Sequence, residues 1–326
     1  MIDRMSVGVI GVGSMGRNHA RVYRELPSAK LVGVADADRD RAREVARTYD
    51  TKVMGPEELL EAVDGVSIAA PTRFHFELAR AAIDRGVHVL VEKPFVDRVE
   101  NGRTLIDLAE DAGVTLQVGH IERFNPAIRS LADIVPDLDV IAIDAMRLGP
   151  PIDRDIDVNP VLDLMIHDID IVRSVVDGEV TDVNATSSKD DPYVTATVEF
   201  DNGVIGTLKA SRITQRKVRT LSVTAREGEV SVDYIDQSIE IHRQSFPEYV
   251  QDNGDLRFRR QNIVERPTVE NGEPLKSELE AFLEAARDGH EPIVTAEDGL
   301  RALRIAQEIT DAATVDREPP SAEVRS

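Results

Sequence analysis

Ser6-Val7-Gly8-Val9-Ile10-Gly11-Val12-Gly13-Ser14-Met15-Gly16 carries a valine- and isoleucine-rich run straight into G-x-G-x-x-G, and an amphipathic stretch follows from Gly16 to Leu26 until Pro27 stops it. The glycine pattern alone is a weak signal. Between a buried strand and the opening of a helix it gains a physical reading. Gly11 permits a tight turn, Gly13 lets the backbone approach a pyrophosphate, and Gly16 allows the helix to pack closely on the strand. The helix N-terminus adds N–H groups and the positive end of its dipole. Gly11, Gly13, Ser14, Met15 and Gly16 are therefore candidate dinucleotide contacts.

Asp36 follows the next apolar run, Lys30–Ala35, 20 residues beyond Gly16. An acid at that place accepts hydrogen bonds from the adenine-ribose hydroxyls of NAD and repels the 2′-phosphate of NADP. Asp38 adds to the repulsion and also suits a helix N-cap. Arg39 is the nearby cation that would soften it. The expected cofactor is NAD.

Working outward, Val66–Ala70, Val87–Val91 and Thr115–Gly119 are further short apolar runs, while Arg39–Tyr49, Phe74–Arg85 and Asn101–Ala112 have helical periodicity. That alternation predicts βαβ units around a parallel sheet. Past residue 120 the texture changes. Val194–Phe200, Val204–Ser211, Val218–Ala225, Glu229–Tyr234 and Ser238–His242 are strand-like runs at close spacing, with turn signals at Asp201-Asn202-Gly203 and Glu227-Gly228. They predict an antiparallel sheet. Leu275–Arg287 and Thr295–Thr310 read as closing helices, and Gln244–Glu273 as an irregular excursion or an edge. The expected fold class is thus a Rossmann domain over residues 1–120, then an α+β domain over 121–314 with an open-faced, mainly antiparallel sheet and helices on one face. Residues 315–326 read as a flexible tail.

Bulk properties narrow the class. A chain of 326 residues with 41% hydrophobic content can fill two domains. No apolar run approaches the ~18 residues that span a bilayer. The segment before the first strand leaves no room for a signal peptide, so a cytoplasmic location is expected. The absence of cysteine excludes disulfides, thiolate metal sites and cysteine nucleophiles. A net charge of −21 speaks against nucleic acid and an acidic membrane as partners. With seven Lys against 32 Arg, it suggests either an acidic surface adapted to a salty cytoplasm or a cationic partner. The first is the simpler expectation.

Two further segments carry chemistry. Glu92-Lys93-Pro94 closes the Val87–Val91 run, and ligands bind at the carboxyl ends of strands in such sheets. Lys93 can donate to a substrate hydroxyl there, with Glu92 orienting it and Pro94 fixing the turn; an ordinary surface ion pair is the plainer alternative. Asn159-Pro160 opens a helix that carries Asp163, His167 and Asp170 close to one face among Leu, Met and Ile. A polar stripe in an otherwise buried helix needs a reason. A satisfied core histidine is one, and a reaction centre is the other. No metal is expected, although those three groups could in principle hold a divalent ion.

The glycine loop, Pro71-Thr72 with His75, Glu92-Lys93-Pro94 and Asp163-x-x-x-His167 together make the chain resemble the glucose-fructose oxidoreductase/inositol dehydrogenase family. The resemblance implies that Pro71, Thr72, His75, Glu92 and Lys93 join the cofactor site. It also implies that Lys93, Asp163 and His167 meet the nicotinamide between the domains. In the implied reaction His167 takes a hydroxyl proton, Lys93 stabilises the developing alkoxide, and Asp163 positions the sugar or His167, with the roles of Lys93 and Asp163 exchangeable. Histidine suits a base working near neutral pH.

Within the family, Gly119–Pro126 and Arg147–Pro150 look similar to members that oxidise the 3-hydroxyl of UDP-N-acetylglucosamine. On that likeness His120, Arg123, Asn125 and Arg147 join Lys93, Asp163 and His167 as substrate contacts. Arg123, Arg147 and Arg154 are the candidates for a diphosphate, or else form salt bridges. The alternatives are a dehydrogenase of a free polyol or sugar such as myo-inositol, and a non-catalytic NAD-binding sensor. Relatives often associate through the second sheet, so a homodimer or homotetramer is expected.

Overall fold

The chain from Val7 to Ile10 is buried, as a strand covered on both faces must be, and it forms the carboxyl-terminal part of β1 (Met5–Ile10). The computed structural model describes residues 4–151, 159–188, 193–244, 248–252, 255–259 and 261–315. Around β1 lie β2 (Ala29–Ala35), β3 (Lys52–Val53), β4 (Gly65–Ile68), β5 (His88–Glu92) and β6 (Leu116–Gly119), in the sheet order β3-β2-β1-β4-β5-β6. Every pairing in this sheet is parallel. Helices α1 (Ser14–Glu25), α2 (Arg39–Thr48), α3 (Pro56–Leu60), α4 (His75–Ile83) and α5 (Val99–Ala112) supply the crossovers. The order reverses between β1 and β4, and the crevice at the carboxyl ends of strands beside such a reversal is where this architecture binds ligands.

The remaining helices are α6 (Pro126–Ile134), α7 (Ile166–Val175), α8 (Pro274–Asp288) and α9 (Ala296–Val315). The chain divides into two units, Met1–Phe124 with Glu273–Arg304 and Asn125–Gly272 with Ile305–Ser326. This differs from an uninterrupted second domain over 121–314. The reason is the apolar face of α8. Leu275, Leu279, Phe282 and Leu283 recur at helical spacing and fill one core with Val7, Val9, Val22, Tyr23 and Leu90 of the first unit.

The second unit holds an eight-stranded sheet in the order β16-β13-β12-β11-β7-β10-β9-β8. Its strands are β7 (Val140–Leu148), β8 (Val180–Ser187), β9 (Tyr193–Phe200), β10 (Ile205–Ser211), β11 (Val218–Ala225), β12 (Gly228–Asp233), β13 (Ser238–Gln244) and β16 (Asn262–Glu265). All pairings are antiparallel except β7 with β10. Val194, Ala196, Val198 and Phe200 of β9 are buried while Thr195, Thr197 and Glu199 are more exposed, so one face of the sheet is apolar and the other polar. Helices α6 and α7 pack against strands of this sheet.

The stretch 244–273 is both an edge and an excursion. β16 pairs with β13 at the sheet margin, and β14 (Glu248–Asp252) with β15 (Asp255–Arg259) forms a separate two-stranded hairpin. Helix α9 runs on to Val315, five residues beyond the expected end at Thr310. Arg154 and the tail 316–326 lie outside the described residues. Among the described residues no helix is long and apolar enough to cross a membrane.

Candidate active site

In the first unit the site begins with bare backbone. Gly11 sits at φ +84, and a Cβ there would meet the Ala70 nitrogen at 2.6 Å, so the turn after β1 and the end of β4 approach too closely for a side chain. A Cβ on Gly16 would land on the Gly11 carbonyl oxygen. Gly13 is different: its nearest neighbour would be an Arg41 guanidinium nitrogen 4.0 Å away, which leaves open space over the loop. Gly13 is also the N-cap of α1, with no side chain on the first amides and no acid in the first turn. Those amides and the dipole behind them fit a pyrophosphate. Ser14 is exposed beside them, whereas Met15 is half-buried against the core and contributes packing.

Asp36 lies where expected, and its carboxylate also organises the loop. One oxygen accepts from the Val12 N–H at 2.7 Å and the other from the Asp38 N–H at 2.8 Å. The nearby cation is Arg41, 3.6 Å from Asp36, rather than Arg39. Asp38 caps α2, and the Arg41 N–H it accepts holds its carboxyl below the usual range. The open amides, the acid after β2 and the close turn all fit NAD.

Pro71 and Thr72 follow β4 and enter a short 3-10 turn, Thr72–Phe74. His75 corrects its expectation. It is buried, with Nε2 at 2.8 Å from the Ala70 carbonyl and Nδ1 at 3.0 Å from that of Pro94, so its ring ties two loops together instead of facing a cofactor. Glu92 ends β5. One oxygen is 2.9 Å from His19 Nε2 and the other accepts from the Lys93 N–H at 3.3 Å. Lys93 itself is half-buried, before a cis bond to Pro94. His120 directly follows β6 and is buried, while Arg123 lies 3.7 Å from Asp298.

In the second unit, the expected regular helix from Asn159 is modified. The Asn159 side chain does cap the helix start by accepting from Val161 N–H at 2.9 Å, but Val161–Met165 is a π-helical turn that leads into α7. Widened turns of this kind are frequent at functional sites, and this one carries Asp163. Arg212, just past β10, forms an ion pair with Asp163. Burial pushes the Arg212 guanidinium below its ordinary pKa. No spacing in the sequence joins residues 163 and 212; the only hint is an arginine directly after an apolar strand. His167 is half-buried one turn beyond Asp163.

Two expected substrate contacts turn out to be structural. Arg147 points to the helix-covered face of β7, is 2% exposed, and forms a bidentate pair with Asp168 at 2.8 and 2.9 Å. Its guanidinium also lies 5.2 Å from the Tyr234 ring. A charge buried in this way is held by its partner and has no fork left for a diphosphate. Asn125 is the N-cap of α6, accepting from Ala127 N–H at 3.1 Å and donating to the Tyr234 carbonyl at 3.0 Å. Asp163, His167 and Asp170 do not group as metal ligands. Among the described residues the one His/acid group with such spacing is His19, Glu92 and Glu278.

Known proteins match this arrangement along nearly the whole chain. Residues 5–120 match the oxidoreductase family with an NAD-binding Rossmann fold, and residues 157–320 match that family's C-terminal alpha/beta domain. The chain is 33% identical over 310 residues to the UDP-N-acetylglucosamine 3-dehydrogenase of Acidithiobacillus ferrooxidans, covering 92% of this chain and 94% of that one. A solved structure of that enzyme superposes with a TM-score of 0.86, covering 96% and 98% of the two chains at 31% identity. The scyllo-inositol 2-dehydrogenase (NAD(+)) of Bacillus subtilis is 27% identical, over 96% of this chain and 95% of that enzyme. A levoglucosan dehydrogenase solved with NADH and levoglucosan shares the fold at a TM-score of 0.81 and 21% identity, covering 96% of this chain and 98% of its own.

Proposed function

The chain belongs to the glucose-fructose oxidoreductase/inositol dehydrogenase family of NAD-dependent dehydrogenases, and from that premise we propose that it oxidises the 3-hydroxyl of UDP-N-acetylglucosamine to a 3-keto sugar nucleotide. The observation that carries the substrate is the 33% identity to a UDP-N-acetylglucosamine 3-dehydrogenase over 92% of the chain, against 27% for the inositol enzyme. Held by the Gly11–Gly16 loop and Asp36, NAD would supply the hydride acceptor. The protein contributes geometry and proton handling. His167 takes the hydroxyl proton. Lys93, at the carboxyl end of β5, donates to the same oxygen as negative charge develops on it. Asp163 is fixed by Arg212 and holds either the sugar or His167 in place.

A second reading has its own support. Arg147 is committed to Asp168 and Arg123 lies by Asp298, so neither is proposed as a diphosphate ligand. That favours a free polyol, myo-inositol above all, more than the identities alone would. We place the enzyme in the cytoplasm as a homodimer or homotetramer joined through the second sheet. Its β16 edge exposes Ile263 and Val264, which a second copy would cover. Light scattering on the purified protein tests the assembly.

The substrate is tested by following NADH absorbance with UDP-N-acetylglucosamine, myo-inositol and free aldoses, in high salt and with a keto trap. Turnover with the sugar nucleotide and silence with the others supports the first reading. Turnover only with myo-inositol or an aldose replaces it with the second.

A further inference from the structure

Glu278 of α8 is a buried acid with no part in the reaction above. It is fully inaccessible, and neither of its side-chain oxygens has a hydrogen-bond partner. Facing it are His19 of α1, itself 0% exposed, and Glu92 of β5. One ligand-type atom from each of the three lies within 4.8 Å of those of the other two. Gln117 of β6 donates to the Glu278 backbone carbonyl at 3.4 Å, not to the carboxyl. Tyr23 of α1 is near as well, but its hydroxyl is engaged with Ser67 Oγ at 2.8 Å. The turn packed on α8, Ile121–Phe124, brings Glu122 and Arg123, and Arg123 is 3.7 Å from Asp298.

The cluster therefore sets two carboxylates against one histidine. His19 is 2.9 Å from Glu92, so Glu92 has a partner. Neither Glu278 oxygen accepts a hydrogen bond, and Nδ1 of the neighbouring His19 has no partner either, so an ionised Glu278 would be buried with no donor on it. Something must neutralise it. We propose that Glu278 carries a proton at neutral pH and, as a neutral acid beside the His19–Glu92 pair, is a positioning residue for Lys93. Burial first, and the nearby Glu92 charge second, push its pKa well above the ordinary value. The route to Lys93 is short, because the same Glu92 carboxylate accepts the Lys93 N–H at 3.3 Å. An ionised Glu278 would repel Glu92 and disturb that turn. The positioning half rests on the reading of Lys93 as a substrate-facing group; the proton does not.

The sign of the pH effect follows from linkage. Above the ordinary glutamate pKa the folded chain keeps a proton that the unfolded chain has released, so this group makes stability fall as pH rises, until the folded-state pKa is passed. Urea unfolding of wild type and Glu278→Gln from about pH 5 to about pH 8 reads it directly. The amide is neutral and nearly the same shape. The unfolding constant of wild type is expected to grow relative to the variant by about tenfold per pH unit. Parallel curves overturn the proton. In the infrared, wild type at neutral pH should show the carbonyl stretch of a protonated carboxylic acid. This second measurement decides even if Glu278→Gln does not fold, because absence of the band overturns the proposal. A divalent metal that co-purifies at one per chain would also overturn it, since the metal would then be the neutralising charge.

For the positioning half, Glu278→Gln should keep kcat, while Glu278→Leu lowers it about tenfold or more with KM for NAD unchanged. Equal losses in both variants, or none in either, overturn that half. If wild type turns over no sugar, the proposed activity fails while the unfolding and infrared results still decide the proton.

Discussion

The two units use buried polar groups in opposite ways. In the first, the surface proposed to face the dinucleotide is main chain: the open loop at Gly13, the uncapped amides of α1 and the turn at Gly11. In the second, the helix that carries the proposed base is set by side-chain pairs from strands distant in sequence, Arg212 with Asp163 and Arg147 with Asp168. The lesson is that a backbone site writes itself into local sequence as glycines, whereas a side-chain site is assembled by the sheet. Substitutions should therefore fail differently in the two units.

The largest expected effect is on chemistry. His167→Ala should lower kcat by about 10²–10⁴-fold, the usual contribution of a positioned base, with NAD affinity unchanged. A variant that retains wild-type kcat would remove His167 from the reaction. Next comes Arg147→Ala. It strands Asp168 in the core and should destabilise the protein by about 3–5 kcal/mol in urea unfolding, as breaking a buried pair does. If Arg147 bound a diphosphate instead, stability would hold and KM for the sugar nucleotide would rise.

In the first unit the comparison sharpens at the glycines. Gly16→Ala drives a methyl into the Gly11 carbonyl and should cost stability, while Gly13→Ala finds open space and should spare the fold but weaken NAD binding in calorimetry. Equal stability of the two would mean that the loop geometry is misread. Asn125→Ala should lose about 1 kcal/mol of cap stability and leave KM for the sugar unchanged. The smallest and most diffuse effect is ionic. With a net charge of −21, the melting temperature should drop at low salt and recover as screening increases.

These contrasts explain how much could be read from the sequence. The parallel sheet, its strand ends, the α1 loop, Asp36 and the Glu92-Lys93-Pro94 turn were legible because each depends on residues within a few positions of one another. The hairpin β14–β15 was legible and was overlooked: Asn253-Gly254 is a hairpin turn signal, and Leu256-Arg257-Phe258-Arg259 alternates apolar and polar after it. The return of α8 to the first core was not legible, because helical periodicity says which face is apolar but not what it meets. Arg147 and Asn125 looked like ligand contacts by their place near strand and helix ends. Only the register of β7 and the capping geometry of α6 reveal that their side chains are already used. His75 teaches the same point within the first unit, since three carbonyls gather around its ring. Arg212 had only the faint signal of an arginine after an apolar strand, as its partner lies 49 positions away.

The most direct test follows the hydrogen itself. UDP-N-acetylglucosamine deuterated at C3 would be incubated with enzyme and NAD, and the NADH examined by mass spectrometry and NMR. Deuterium at C4 of the reduced nicotinamide, absent with His167→Ala, is the predicted result. NADH that forms without deuterium, or none at all while myo-inositol is oxidised, would contradict the assignment of the sugar nucleotide and its 3-hydroxyl.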